Sequence, residues 1–239
     1  MKILLFISLA INFLFATANL QLQTTQIFDV TPTNAKINIP NLIIGQSGVI
    51  VRNLENNSII LSQAIVTHST NDGSQIKFVD VDVLKQDAIP TTLLKVSNGD
   101  EFILNHLYNT SLLIAPNEKA KFAVKELFPK QNFVSEDFFA SNLKLNNTPV
   151  PTKETFINFA QAQQIGTLFF VVQNNLFIVD SLSFKVIDTI LIPNDDDSTN
   201  VPFLTKIDEI KTGIFNFGFS KNKIENYDLY YLKLLEILK

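Results

Sequence analysis

GTLFFVVQNNLFIVDSLSFKVIDTILI, residues 166–192, is the stretch on which the fold turns. Two apolar runs, 168–172 and 176–179, are separated by Gln173-Asn174-Asn175, and a third follows the polar turn 180–183. Short runs on either side of an Asn-Asn pair predict a β-hairpin, because Asn tolerates the positive φ of a tight turn. The runs are continuous rather than alternating, so both faces of these strands need cover. Burying each large apolar side chain contributes roughly 1.5–3 kcal/mol, which rules out an exposed block. Helices must pack on this three-stranded meander.

The preceding residues supply them. Residues 112–114 read as a short buried strand, after which Pro116 opens a helical stretch over 117–128 and Pro129 stops it. Ala120, Ala123, Val124 and Leu127 fall on one face of that helix. Phe133-Val134 reads as a brief strand. Ser135 then caps a second helix that carries Glu136 and Asp137 in its first turn, where the helix dipole favours negative charge. Thr152 caps a third helix with Phe156, Phe159, Ala160 and Ala162 turned inward, and Gly166 ends it. Beyond the meander, residues 193–200 form an acidic turn, and Asn222 with Glu225 makes a capping box for a last helix. The stripe Tyr227, Tyr230, Tyr231, Leu234 and Leu238 makes that helix amphipathic.

Upstream the pattern is different. From residue 37 to 109, short runs rich in Val, Ile and Phe alternate with Gly45/Gly48, Asn56-Asn57, Asn71-Asp72-Gly73 and Asn98-Gly99-Asp100. Such punctuation predicts a small β-barrel or sandwich-like domain. Residues 19–36 are polar and read as an extended arm with one short strand around 27–30. The fold class expected is α+β: a β-rich domain over 37–109, then an α/β domain over 110–239 with a C-terminal helix. Residues 1–18 read as a signal peptide. Lys2 is its charged start, 3–15 its apolar core, and Ala16 and Ala18 form the small-residue cleavage site before Asn19. That apolar run falls short of the about 20 residues of a spanning helix. The mature chain is therefore expected to be exported, to the periplasm, the outer surface or the medium, with no transmembrane segment.

Composition narrows the function. The chain has 239 residues, a formal charge of −4, no Cys, and Arg52 as its only arginine. Nucleic acid is not an expected partner, because phosphate binding draws on clustered Lys and Arg. Thiol catalysis, disulfides and thiolate metal sites are excluded. Asp80 and Asp82 leave one face of a strand, the ordinary signature of a half-solvated strand rather than of a carboxylate pair. His68 and His106 stand in different segments, and a zinc site needs three or four ligands. Gly45-Gln46-Ser47-Gly48 lacks the spacing of a nucleophile elbow and reads as a tight turn into the Val49 strand. Asp195-Asp196-Asp197 is followed by Asn200 and Lys206 where an EF-hand loop requires Gly and Glu. No catalytic residue, metal or cofactor is expected.

Several segments in order carry a resemblance: residues 45–49 (GQSGV), Ile89-Pro90-Thr91 followed by Gly99-Asp100, 112–117 (LLIAPN) and 132–138 (NFVSEDF). The meander, Pro202-Phe203 and residues 227–231 complete it. Together they resemble the N-terminal domain family of the bacterial plasminogen-binding protein A. The resemblance implies a secreted or surface-displayed, non-catalytic protein of a Gram-negative bacterium with host plasminogen as partner. Longer members of that family carry a charged, lysine-rich extension ending in lysine, and plasminogen's lysine-binding modules favour such C-terminal lysines. This sequence lacks that coil but ends on Lys239, the one partner-binding residue the resemblance suggests. The alternative expectation is a periplasmic envelope or assembly domain that binds another cell-envelope protein.

Overall fold

A computed structural model describes residues 20–55, 57–79, 94–193, 201–207, 224 and 226–238. Among these, six strands close into a barrel: β1 (Gln23–Phe28), β2 (Asn34–Ile37), β3 (Ser47–Asn53), β4 (Ser58–Ser69), β5 (Ser74–Val79) and β6 (Glu101–Leu104). Their order around the barrel is β1-β2-β5-β4-β3-β6, every neighbour antiparallel, with β6 closing back onto β1. Ile27, Ala35, Ile37, Ile50, Ala64, Val66, Ile76, Phe102 and Leu104 fill its interior. Alternate residues of each short strand supply this core, as the two-residue period of a strand requires. The polar stretch expected to be an arm contributes two barrel strands, β1 and β2. Only Ile27, Ala35 and Ile37 of these strands are buried, which is why QTTQIF and NAKI look like linker in sequence.

The remaining strands form a five-stranded mixed sheet. They are β7 (Thr110–Ile114), β8 (Asn132–Val134), β9 (Thr167–Val172), β10 (Asn175–Asp180) and β11 (Val186–Leu191), in the order β11-β10-β9-β7-β8. β7 runs parallel to both β8 and β9, whereas β9, β10 and β11 form the antiparallel meander. The chain is thus α+β, with a closed barrel, a second sheet and helices on that sheet.

Both faces of the sheet are covered. α1 (Glu118–Leu127) packs Ala120 and Val124 against Phe169, Val171, Leu176 and Ile178 on one side. Leu127 is not part of that contact and stands exposed. Phe128 replaces it, its ring meeting Phe169 edge-on at 5.1 Å. α2 (Glu136–Leu145) and α3 (Lys153–Ala162) cover the opposite face through Phe139, Leu143, Phe156 and Phe159. α4 (Tyr227–Leu234) adds Tyr231 there, with Leu235 buried just beyond its end. Leu238 of the expected stripe lies past the helix and is exposed. Asn117, Ser135, Thr152 and Asn226 accept amide hydrogens at the four helix starts. Asn117, expected inside the first helix, is instead the cap of α1, and Pro116 precedes it.

The β9–β10 hairpin differs from expectation in one detail. Asn175 pairs with Val172, so the turn is Gln173-Asn174 and the positive φ of 55° falls on Gln173. The register places Asn175 inside β10 and leaves Gln173 to make the bend.

Gly166 explains how β9 enters the sheet. A β-carbon there would lie 2.3 Å from the carbonyl carbon of Leu107, so backbone crosses backbone with no room for a side chain. Its amide donates to the Thr110 carbonyl at 3.0 Å, which sets the start of β9 beside the start of β7.

Candidate functional site

The sheet connections place an opening at one end of β7 and a plug at the other. From β7 the chain passes through α1 to β8 on one side, then through α2 and α3 to β9 on the other side. The two crossovers lie on opposite faces of the sheet, while β9 turns straight into β10, and a crevice lies outside the carboxyl ends of β7 and β9. A cleft of about 220 Å³ lies there, floored by Ile114, Ala115 and Val171. Pro116, Val201, Pro202, Asn226, Tyr227, Asp228 and Tyr231 make its walls.

Hydrogen bonds hold those walls in place. Leu204 N donates to the Ala115 carbonyl at 2.8 Å just past the end of β7. Asp137, in the first turn of α2, accepts from Thr205 Oγ1 at 2.7 Å and from Lys206 N at 2.8 Å, which holds its carboxyl below the usual range. Tyr231 Oη donates to the Pro202 carbonyl at 2.8 Å, and Tyr230 Oη to that of Pro151 at 2.7 Å. Lys121 of α1 pairs with Glu136 of α2 across the same edge. Asp228 has no hydrogen bond or ion pair among the described residues, and burial pushes its carboxyl above the ordinary value. Burial likewise pushes up the phenols of Tyr227 and Tyr231.

At the opposite end, the amino-terminal edge of β7 and β9, the barrel docks on the sheet. The GQSG turn meets the DSLS turn there. Asp180 accepts from Ser47 Oγ and Tyr108 Oη on one carboxylate oxygen, and from Leu182 N and Ser183 N on the other. Ser183 Oγ returns a bond to the Gly45 carbonyl at 2.7 Å. Asn105, in the turn between β6 and β7, accepts from Gln46 Nε2 at 3.3 Å and donates its side-chain amide to the Gln21 carbonyl at 2.8 Å. Asp180 is the most connected carboxylate of the junction. Its apolar neighbours in β10 mask that role, and two of its donors come from remote segments.

A second concavity, about 510 Å³, opens on the barrel between β1 and β3. Arg52 and Asp100 line it but are already committed to each other, with Nε to Oδ1 at 2.7 Å and Nη2 to Oδ2 at 2.8 Å. Arg52 Nη2 also bonds the Lys95 carbonyl and Ser97 Oγ. The pair fastens the strap 94–100 to β3, so the chain's only arginine is used structurally.

The sequence-singled histidines stay apart, His68 in β4 and His106 in the turn after β6. Burial lowers the His106 pKa. Among the described residues, no three His, Asp or Glu side chains gather as a metal site, and no helix is long and apolar enough to cross a membrane. Asp80, Asp82, Asp195, Asp196, Asp197, Ala16, Ala18, Asn222, Glu225 and Lys239 lie outside the described residues.

Two curated relatives, both named plasminogen-binding protein PgbA and from Helicobacter pylori strains J99 and 26695, are each 24% identical over 197 residues. The match covers 82% of this chain but 43% of each relative, so the chain spans less than half the length of the proteins it resembles. No solved structure matches. The family described as "Plasminogen-binding protein pgbA N-terminal" matches residues 23–235, from the first residue of β1 to the cap of α4, and the chain belongs to that family.

Proposed function

We propose that the chain is the binding module of an exported, non-catalytic protein that takes plasminogen as its partner. One observation carries the reading: the family match runs through barrel and sheet alike, and relatives sharing it are named for plasminogen binding. Export rests on the leader-like residues 1–18, with cleavage after Ala18. In this reading Lys239 offers its ammonium to the partner.

The test uses the chain from Asn19 onward, immobilised and titrated with plasminogen. Saturable binding that weakens when Lys239 is deleted is the expected result. Unchanged binding after the deletion removes Lys239 from the interface, and no binding by the intact chain overturns the plasminogen reading. For export, amino-terminal sequencing of the protein released from the producing cell should begin at Asn19. A product that retains residues 1–18 in the cytoplasm overturns it.

A second reading is favoured by the coverage. More than half of each relative lies beyond the match, so the binding in their name has room to reside there. The present chain then serves as a periplasmic domain that docks another cell-envelope protein. Protease added to intact cells separates the two: a surface module is cut, and a periplasmic one is shielded.

A further inference from the structure

The cleft at the carboxyl ends of β7 and β9 has a chemical character that the plasminogen reading neither uses nor requires. Its floor and sides are apolar, from Ile114, Val171, Pro116 and Pro202. Among the described residues, its one charged lining group is the Asp228 carboxylate, and no Lys or Arg side chain lines it. Tyr227 and Tyr231 stand in the wall beside Asp228, their rings 6.0 Å apart and inclined at 45°. A half-buried carboxylate without a partner among the described residues is costly in an apolar wall, and a cation offsets that cost. Aromatic faces add attraction for the same charge, because the ring quadrupole is negative on its face. The like charge of Asp228 disfavours an anion at the same place.

Size restricts the ligand further. A volume of about 220 Å³ falls below the roughly 300–1,000 Å³ of sites for drug-sized ligands. It suits a short aliphatic chain with a charged head. We propose that this cleft binds a primary alkylammonium group, with Asp228 as its counter-ion, the half-buried Tyr227 as a flanking aromatic ring, and Ile114 and Val171 beneath the alkyl chain. The ammonium supplies donors that the two oxygens of the carboxylate can share. The alkyl chain replaces water over the β7 and β9 ends.

The probe is n-butylammonium, titrated into the intact chain at constant ionic strength and followed by NMR of the Ile114, Val171 and Tyr227 signals. Expected is saturable binding in the millimolar range, with n-butanol bound roughly tenfold more weakly or less and n-pentanoate not at all. Asp228→Asn should weaken n-butylammonium binding by roughly tenfold, without lowering the thermal unfolding temperature of the chain. Tyr227→Leu should weaken it by a smaller factor. Absence of saturation, equal binding of amine and alcohol, or unchanged affinity in Asp228→Asn overturns the proposal. A capped Gly-Lys-Gly peptide distinguishes the source of the ammonium. Binding tighter than n-butylammonium assigns it to a protein lysine, and binding of the free amine alone assigns it to a small amine. Loss of plasminogen binding with amine binding retained, or the reverse, tells failure of one reading from failure of the other.

Discussion

The phenol of Tyr108 donates to the fully buried carboxylate of Asp180 across 2.7 Å, joining the turn that leaves the barrel to the last residue of β10. The two are 72 residues apart in sequence. Their contact makes barrel and sheet one packed body rather than two units on a linker. Burial outweighs the four hydrogen bonds that Asp180 accepts, so its carboxyl is raised above the ordinary value. Burial and the adjacent carboxylate push the Tyr108 phenol well above its own.

The consequence for stability has a definite sign. With the folded carboxyl raised, the ionised form opposes folding. This contribution is most favourable below the ordinary carboxyl value and declines as pH rises through the raised one. Asp180→Asn keeps an oxygen for the amides of Leu182 and Ser183 and turns two donors toward hydroxyls that can accept. Asp180→Ala strands all four donors. Urea unfolding should show a loss of about 3 kcal/mol for the alanine variant and less than half of that for the asparagine variant. The difference between wild type and Asp180→Asn should shift in favour of Asn as pH rises from about 3 to 7. A difference that stays flat across that range contradicts the argument.

Asp100 behaves in the opposite sense. Burial pushes its carboxyl up, but the bonds from Arg52 and Ser97 prevail and hold it below the ordinary value. Its contribution is present above the ordinary carboxyl value and is lost as pH falls through the lowered one. Lysine cannot reproduce the two-pronged contact. Arg52→Lys should therefore raise the pH at which the barrel unfolds in acid, followed by amide exchange at Phe102 and Leu104. An unchanged acid midpoint would show that the strap 94–100 holds without the fork.

What was legible in the sequence follows from how local each signal is. The meander declared itself because its strands are apolar on both faces. Ser135 and Thr152 declared themselves because a cap acts on amides two or three residues away. β2 did not, and β1 did only as a short strand around 27–30, since a barrel strand buries one side only and these bury three residues between them. The Asp180 cluster depends on partners 72 and 133 residues distant, which no window along the chain can see. The cleft depends on β9 lying beside β7 rather than β8, a strand order that composition and period do not encode.

Close backbone approach gives a third prediction. A β-carbon on Gly166 would sit 2.3 Å from Leu107 C and 2.7 Å from Tyr108 N. Both are main-chain atoms that cannot swing aside. Gly166→Ala should cost about 3 kcal/mol and disturb the Tyr108–Asp180 contact. Gly99→Ala should act differently, because nothing lies within 4 Å of its added carbon and only the φ of 90° is strained. Thermal melts of the two variants, with near-ultraviolet dichroism as a readout of tyrosine packing, compare the effects directly. An equal change in both would mean that backbone conformation, not space at the sheet entry, sets the requirement for glycine at 166.

Adjacent phenylalanines of α2 provide the sharpest contrast. Phe139 is fully buried, stacked on Phe156 at 4.7 Å and on Phe203 at 5.6 Å, and so ties α2 to α3 and to the segment that walls the cleft. Phe138, one residue earlier, is 62% exposed. One helical step of about 100° separates core from solvent. Phe139→Ala should lower the unfolding free energy by about 3–5 kcal/mol through lost burial and the cavity left behind. Phe138→Ala should change it by no more than about 0.5 kcal/mol. Urea denaturation at neutral pH measures both, and a shifted midpoint with an unchanged slope identifies a pure stability effect. Were Phe138→Ala the more damaging of the two, the face of α2 assigned here to the sheet would be the wrong one.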